Sequence, residues 1–260
     1  MTTRRIVLVL LAALAVSSCT RSEFLEREIK LGEHTYKYRV WLPHHYTKLH
    51  HWPVILYLHG SGERGSDNTS QLNTGLAPVL ERHGERYKAI VVFPQAEPEH
   101  EWYGETETMA LAELDAAMRE FHGDPRRVSL TGISLGGAGT WYMARHNRRW
   151  AALVPVCGEV ARHPDDPFPS DPPPDIARIV GSRDPYTTLA GLIGRTPVWA
   201  FHGTMDHIVP VTESRSMVAA LRKAGGNVQY TEYPNGDHDV WDTAYEDTTM
   251  VHWMLQQKLR

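Results

Sequence analysis

The stretch Val128-Ser-Leu-Thr-Gly132-Ile-Ser134-Leu-Gly136-Gly-Ala-Gly139 decides how the rest of the chain is read. A short apolar run, Val128 to Thr131, stops at a glycine, and after the turn a run of small residues begins a helix. Gly132 and Gly136 stand two residues either side of Ser134, which is the G-x-S-x-G spacing in strand-turn-helix context. The spacing has a mechanical cause: a serine on so tight a turn leaves no room for side chains at the flanking positions, where they would collide with neighbouring backbone. A glycine-rich turn with an incidental exposed serine would explain the glycines alone. It would not explain the apolar strand before them or the small-residue helix behind them, so Ser134 is the candidate nucleophile.

Outward from this turn the chain alternates. Thr35 to Leu42 has the alternating residue types of a half-buried strand. Val54 to Leu58, Ala89 to Phe93, Val128 to Thr131, Ala151 to Val156 and Val198 to Phe201 are short apolar runs of the kind buried on both faces of a parallel sheet. Helical patterns lie between them, at Leu76 to His83, Thr108 to Phe121, Gly139 to His146 and Val211 to Lys223. Gly225-Gly226 ends the last of these; a strand from Val228 to Tyr233 and a closing helix from Val240 to Leu259 follow. Alternation of this kind predicts an α/β fold with a mostly parallel central sheet and helices on both faces. His163 to Asp175 carries six prolines and reads as an irregular excursion, either a tolerated insertion or the rim of a cleft.

With 260 residues, 42% of them hydrophobic and 22% charged, the composition is that of a globular domain rather than a disordered or multi-span chain. A formal charge of −4 without a basic stripe argues against a nucleic-acid partner. At the N-terminus, Arg4 and Arg5 precede an apolar stretch from Ile6 to Val16, too short for a stable membrane span. Val16-Ser17-Ser18-Cys19 then resembles the bacterial lipobox, in which Cys19 becomes a lipidated N-terminus; an ordinary signal peptide is the main alternative. That leaves Cys157 as the one other cysteine. Lying in an apolar run, it reads as a small buried hydrophobe with no disulfide partner.

A serine nucleophile needs a base and the base an orienting acid. His238, in the polar turn Gly236-Asp237-His238-Asp239 after the strand Val228 to Tyr233, emerges at the same sheet edge as Ser134. Asp206, just past the strand Val198 to Phe201, is the preferred acid over Asp184, whose place before Pro185 is equally that of a turn initiator. His59 and His202 precede glycines at strand ends and read as turn-shaping residues, and His252 lies inside the last helix. The tetrahedral intermediate of acyl transfer needs two amide donors, here the N–H of Leu135 and that of Ser61 in Leu58-His59-Gly60-Ser61-Gly62. Trp102 and Tyr103 are candidates to line the substrate site, with a packing role as the alternative. No His-Glu-x-x-His occurs and the pairs His44/His45 and His50/His51 are adjacent rather than spaced, so neither metal nor other cofactor is expected.

Leu58-His-Gly-Ser-Gly-Glu-Arg-Gly65 with Asp67-Asn68, Gly132-Ile-Ser-Leu-Gly-Gly137 with Thr140-Trp141, His202-Gly203 with Asp206 and Val209-Pro210, and Gly236-Asp-His238 with Trp241 together resemble the secreted esterases of the α/β-hydrolase superfamily. The similarity extends to groups described as predicted peptidases or phospholipase/carboxylesterase-like, near feruloyl and acetyl-xylan esterases. It covers about Thr35 to Leu259 and implies the α/β-hydrolase fold, Ser134, Asp206 and His238 as the triad, and a metal-free serine mechanism. The acids flanking His238 are a mild departure from the pattern. The expected organisation is a signal peptide over 1–18, a lipidated linker over 19–33 and a catalytic domain over 34–260. The expected activity is hydrolysis of short-acyl or aromatic-acyl esters, carbohydrate-linked ones included, by a protein of the bacterial envelope. A serine peptidase and a surface lipoprotein that binds without catalysing are the alternatives.

If the anchor is as read, Cys19→Ser moves the protein from the membrane pellet to the soluble fraction, measured by fractionation of expressing cells. A wild type recovered soluble and unlipidated overturns the anchor and leaves a periplasmic or secreted protein.

Overall fold

Apolar runs of five to seven residues can hide both faces only in the middle of a sheet, and that is where they lie. A computed structural model describes residues 24–146, 148–161 and 172–259. Eight strands, β1 (Phe24–Leu31), β2 (His34–Trp41), β3 (Trp52–Leu58), β4 (Ile90–Phe93), β5 (Gly123–Ile133), β6 (Ala152–Val156), β7 (Val198–Gly203) and β8 (Val228–Tyr233), form one sheet. Their order is β1-β2-β4-β3-β5-β6-β7-β8. From β4 to β8 all neighbours are parallel, whereas β2 pairs antiparallel with both β1 and β4.

The helices divide between the faces: α1 (Leu76–His83), α7 (Trp241–Glu246) and α8 (Thr248–Gln256) on one, α2 (Glu105–Glu120), α3 (Leu135–Met143), α5 (Pro185–Ile193) and α6 (Thr212–Lys223) on the other, with α4 (Pro174–Val180) beside α5. The twofold period of a strand sorts β3 accordingly. Val54, Leu56 and Leu58 enter the core under α2 and α3, and Ile55 and Tyr57 the core under α1 and α7. This is the α/β-hydrolase fold. No helix among the described residues is long and apolar enough to cross a membrane.

Two elements depart from the sequence expectation. The stretch 19–33, expected as linker, is strand from Phe24 to Leu31: Leu25, Ile29 and Leu31 alternate onto the core under α2, a period-two signal that the nearby export pattern obscured. The closing helix is two helices, because the Asp247 carboxylate accepts from the amides of Thr249 and Met250 and so starts a new N-terminus. Asp184 does the same for α5, accepting from the Thr187 amide at 3.0 Å and the Thr187 hydroxyl at 2.6 Å. Residues 1–18, Cys19 and most of the proline-rich excursion (162–171) lie outside the described residues.

The order of strands locates the site. From β3 the chain steps to β4 on one side and then returns to β5 on the other, so the loops after β3 and β5 diverge at the carboxyl ends of adjacent strands, where a crevice opens. The helical layer beside it is tied by a half-buried ion network. Arg145 donates from Nη1 and Nη2 to Glu107 of α2 at 2.9 and 2.6 Å, and from Nε to Asp175 of α4 at 2.7 Å. Glu107 is 6% exposed and also has His146 Nε2 at 3.0 Å, so removal of the guanidinium alone takes from a buried carboxylate its permanently charged partner. Arg145→Met is expected to destabilise the protein by about 3–5 kcal/mol, and the double variant Glu107→Leu/Arg145→Met by less than that single change. Urea unfolding midpoints of the two variants check this ranking.

Candidate active site

Ser134 follows β5 directly and takes φ 51°, ψ −117°, a conformation costly for any residue with a side chain. Its amide donates to the Val156 carbonyl at 3.0 Å, which fastens the turn to the end of β6. On the other side a Cβ at Gly136 would lie 2.0 Å from the Leu58 carbonyl oxygen and 2.7 Å from that of His59. Only glycine lets α3 start against the end of β3. The strained serine is thereby held above the sheet with its hydroxyl free to meet a partner.

That partner is His238, in the loop after β8. The Ser134 hydroxyl lies 2.8 Å from Nε2, and Nδ1 donates to Asp206 Oδ2 at 2.8 Å. The ring also meets Trp241 edge to face at 5.6 Å. Asp206, on the turn after β7, is oriented from behind: its Oδ1 accepts from the amides of Ile208 and Val209 at 2.9 and 2.8 Å. Burial pushes this carboxyl up, but hydrogen bonds from His202, His238 and the Val209 amide outweigh it and hold the group well below the usual carboxylate range. An ionised acid against Nδ1 keeps that nitrogen protonated and leaves Nε2 free to accept the serine proton. Asp237, beside the histidine in sequence, accepts from His207 Nδ1 at 2.5 Å and from the His238 amide, so it faces away from the ring.

Ser134, Asp206 and His238, expected to meet, do meet. Asp184 does not join them; it is the exposed cap of α5. Leu135 and Ser61 occupy the first positions of α3 and of a single 3-10 turn, Ser61–Glu63, where no intrahelical acceptor precedes the amide. Trp102 and Tyr103 do not form an exposed lining. They are 1% and 6% exposed, and Trp102 packs edge to face on His59 at 4.9 Å while donating to its carbonyl at 3.0 Å. The close contact at Gly139, where a Cβ would lie 2.4 Å from that of Trp102, draws the tryptophan under the site. Cys157 is fully buried and burial pushes its thiol up. Its Sγ, an Asp206 carboxylate oxygen and a His238 ring nitrogen lie within 4.8 Å of one another, the one grouping of metal-ligand type among the described residues. The acid and the base are hydrogen-bonded to each other there.

Two buried histidines that the sequence assigned to turns do more. His202 brings Nε2 within 3.0 Å of Asp206 Oδ2 and 2.9 Å of the Val209 carbonyl, with the Ser214 hydroxyl at Nδ1; it is a second partner of the acid. His59 donates from Nδ1 to the Gly60 carbonyl at 2.6 Å and accepts at Nε2 from the Ala96 amide at 2.9 Å. Those partners specify one neutral tautomer and fix the loop that carries Ser61. The signal in sequence was His-Gly at two strand ends, legible only as a turn.

The names given to similar proteins agree with this geometry. The prolyl oligopeptidase family matches residues 108–258, more than half of the chain and all three of the assembled side chains. The chain belongs to the prolyl oligopeptidase family. Ser134, His238 and Asp206 stand in the relative arrangement of a serine-hydrolase triad. A solved structure of a thermostable esterase superposes with a TM-score of 0.74 and 27% identity, over 90% of this chain and 63% of that one. An uncharacterized peptidase of Bacillus subtilis is 27% identical over 143 residues, 50% of this chain and 21% of its own length. A putative carboxymethylenebutenolidase of Escherichia coli is 28% identical over 116 residues, 45% of this chain and 37% of its own. The chain thus spans between a fifth and two fifths of these two curated relatives, sharing with this prolyl oligopeptidase family the part that holds Ser134, Asp206 and His238.

His59 makes the site acid-labile. Burial, opposed by the Gly60 hydrogen bond and aided by the charge of Arg64, pulls its imidazole down to about 4. An unfolded histidine titrates near ~6.5, so between that value and about 4 the unfolded chain binds a proton that the folded chain refuses. The stability contributed by neutral His59 is complete above the upper value and falls as pH drops through the window, by about 3 kcal/mol at most. Melting midpoints from neutral to mildly acid pH should decline less steeply in His59→Gln than in the wild type; parallel declines would remove His59 as the cause.

Proposed function

We propose that this chain hydrolyses carboxylic esters with short or aromatic acyl groups, carbohydrate-linked ones among them, through Ser134, His238 and Asp206. The observation that carries the reading is the single imidazole bridging the serine hydroxyl and a buried carboxylate at 2.8 Å on each side. Ser134 Oγ attacks the ester carbonyl carbon while His238 Nε2 takes its proton. The oxyanion so formed is met by the amides of Leu135 and Ser61. As the tetrahedral intermediate collapses, His238 returns the proton to the departing alkoxide, releasing the alcohol. A water deprotonated by the same nitrogen then attacks the acyl-enzyme, and the carboxylic acid leaves as Ser134 recovers its proton.

Two further features support an ester of modest size. Met205 and Ile208 are exposed on the loop that carries Asp206, which makes them candidates to meet an aromatic acyl group. No lid-length apolar segment was found in the sequence. A peptidase is the second reading, favoured by the family's name and by the Bacillus subtilis relative; amide cleavage needs the same three residues but firmer protonation of the leaving nitrogen. Placement at the bacterial envelope through Cys19 is proposed on the sequence pattern alone.

A fluorophosphonate probe is expected to label the wild type at Ser134, and Ser134→Ala to abolish labelling and lower ester kcat by a factor on the order of 10⁶. Asp206→Asn should lower kcat by about 10⁴ through the wrong tautomer of His238, while Asp184→Asn leaves it within about twofold. Labelling that survives Ser134→Ala, or a loss at Asp184 in place of Asp206, overturns the assignment. A wild type that neither labels nor turns over esters points to a binding lipoprotein, and anilide turnover exceeding that of matched esters points to a peptidase.

A further inference from the structure

The loop after β3 brings two opposite charges toward the nucleophile, and the structure neutralises only one. Arg64 donates from Nη2 to Glu101 Oε1 at 2.5 Å and from Nε to the His100 carbonyl at 2.8 Å, so its guanidinium is committed to the neighbouring loop. Glu63, one residue earlier, turns the other way. The point that a Cβ on Gly60 would occupy lies 3.0 Å from Glu63 Oε2 and 3.7 Å from Ser134 Cβ. The carboxylate and the nucleophile therefore border the same small volume above Gly60. No cationic side chain among the described residues pairs with Glu63.

Its backbone is held in place. The Glu63 amide donates to the Gly60 carbonyl at 3.3 Å, and its carbonyl accepts from Gln95 Nε2 at 3.2 Å, a group that also donates to Asp67 at 2.9 Å. A fixed negative charge here opposes the negative charge that develops on the substrate carbonyl oxygen during attack. It does so for every acyl group that offers it nothing. An acyl group bringing a hydrogen-bond donor to that carboxylate removes the opposition and gains a charge-assisted bond. With the alcohol leaving toward His238, as the proposed reaction requires, Glu63 on the loop of Ser61 is taken to face the acyl part of the substrate.

We infer that Glu63 selects acyl groups carrying a hydrogen-bond donor, an ammonium or a hydroxyl, close to the scissile carbonyl. The inference rests on the ester-hydrolase reading above. It changes the expected substrate from an unadorned short acyl chain to an amino- or hydroxy-substituted one.

The test compares kcat/KM for nitrophenyl esters of butanoate, 3-aminopropanoate and 3-hydroxypropanoate, which differ only in the terminal group. The full chain is expected to favour one of the two donors over butanoate by about tenfold or more, and Glu63→Gln to shrink that ratio below about threefold. Glu63→Lys should instead favour nitrophenyl hemisuccinate over the aminopropanoate. Rising salt separates the sources: it erodes a preference for ammonium and spares one for hydroxyl. Labelling of Ser134 by fluorophosphonate in each variant shows that the site has assembled. Ratios unchanged by Glu63→Gln in a protein that still labels overturn the inference alone. A wild type that neither labels nor hydrolyses any of the esters overturns the hydrolase reading, and this inference with it.

Discussion

A serine can be held at φ 51° only if its neighbours leave it no alternative, and here three parallel strand ends do so. Val156 at the end of β6 takes the Ser134 amide, while the carbonyls of Leu58 and His59 at the end of β3 press against Gly136. Between them the chain leaving β5 has one path, and the hydroxyl is lifted out of the sheet by that path. The rest of the site is arranged around this point: Asp206 and His238 come from β7 and β8, farther along the same edge, because parallel strands deliver all their carboxyl ends to one side.

Histidine shows how surroundings, rather than residue type, assign roles. His238 is partly exposed, faces a hydroxyl on one nitrogen and a carboxylate on the other, and can pass a proton between states. His59 has the same ring between a carbonyl and an amide, where burial drives it down to about 4 and a second proton would confront the Ala96 N–H. It serves as a rigid polar spacer under the loop of Ser61. His202 is also fully buried and completes the hydrogen bonding of Asp206, so the acid is shared between a mobile-proton histidine and a structural one.

The electrostatics of the crevice are divided in the same manner. Met205 and Ile208 are exposed on the loop of the acid, and the Glu63 carboxylate lies beside Gly60 on the loop of Ser61. Arg64, adjacent in sequence to Glu63, contributes no free charge because Glu101 and the His100 carbonyl take it. Bulk composition, with its formal charge of −4, says nothing of this division. It arises from which of two neighbouring side chains faces the nucleophile.

The alternation of apolar runs with amphipathic stretches determined the layered α/β architecture, since burial on both faces demands it. The glycine spacing around Ser134 determined the elbow, since no other residue fits. Asp206 and His238 were readable because each followed a strand whose end had to lie at the same edge. What the sequence could not decide depended on where side chains at unrelated positions meet. Strand β1 alternates plainly, yet only its pairing with β2 removes it from the linker; Asp184 has the local look of an acid at a turn, yet only its hydrogen bonds to Thr187 show it to be a helix cap. Trp102 is aromatic and near the site in sequence, and only packing against His59 and Gly139 sends it into the core. The roles of His59, His202 and Glu63 belong with these. Local periodicity reports which face of an element is buried, whereas hydrogen-bond partners and the direction of a charge are set by contacts tens of residues apart, which the tertiary structure alone brings together.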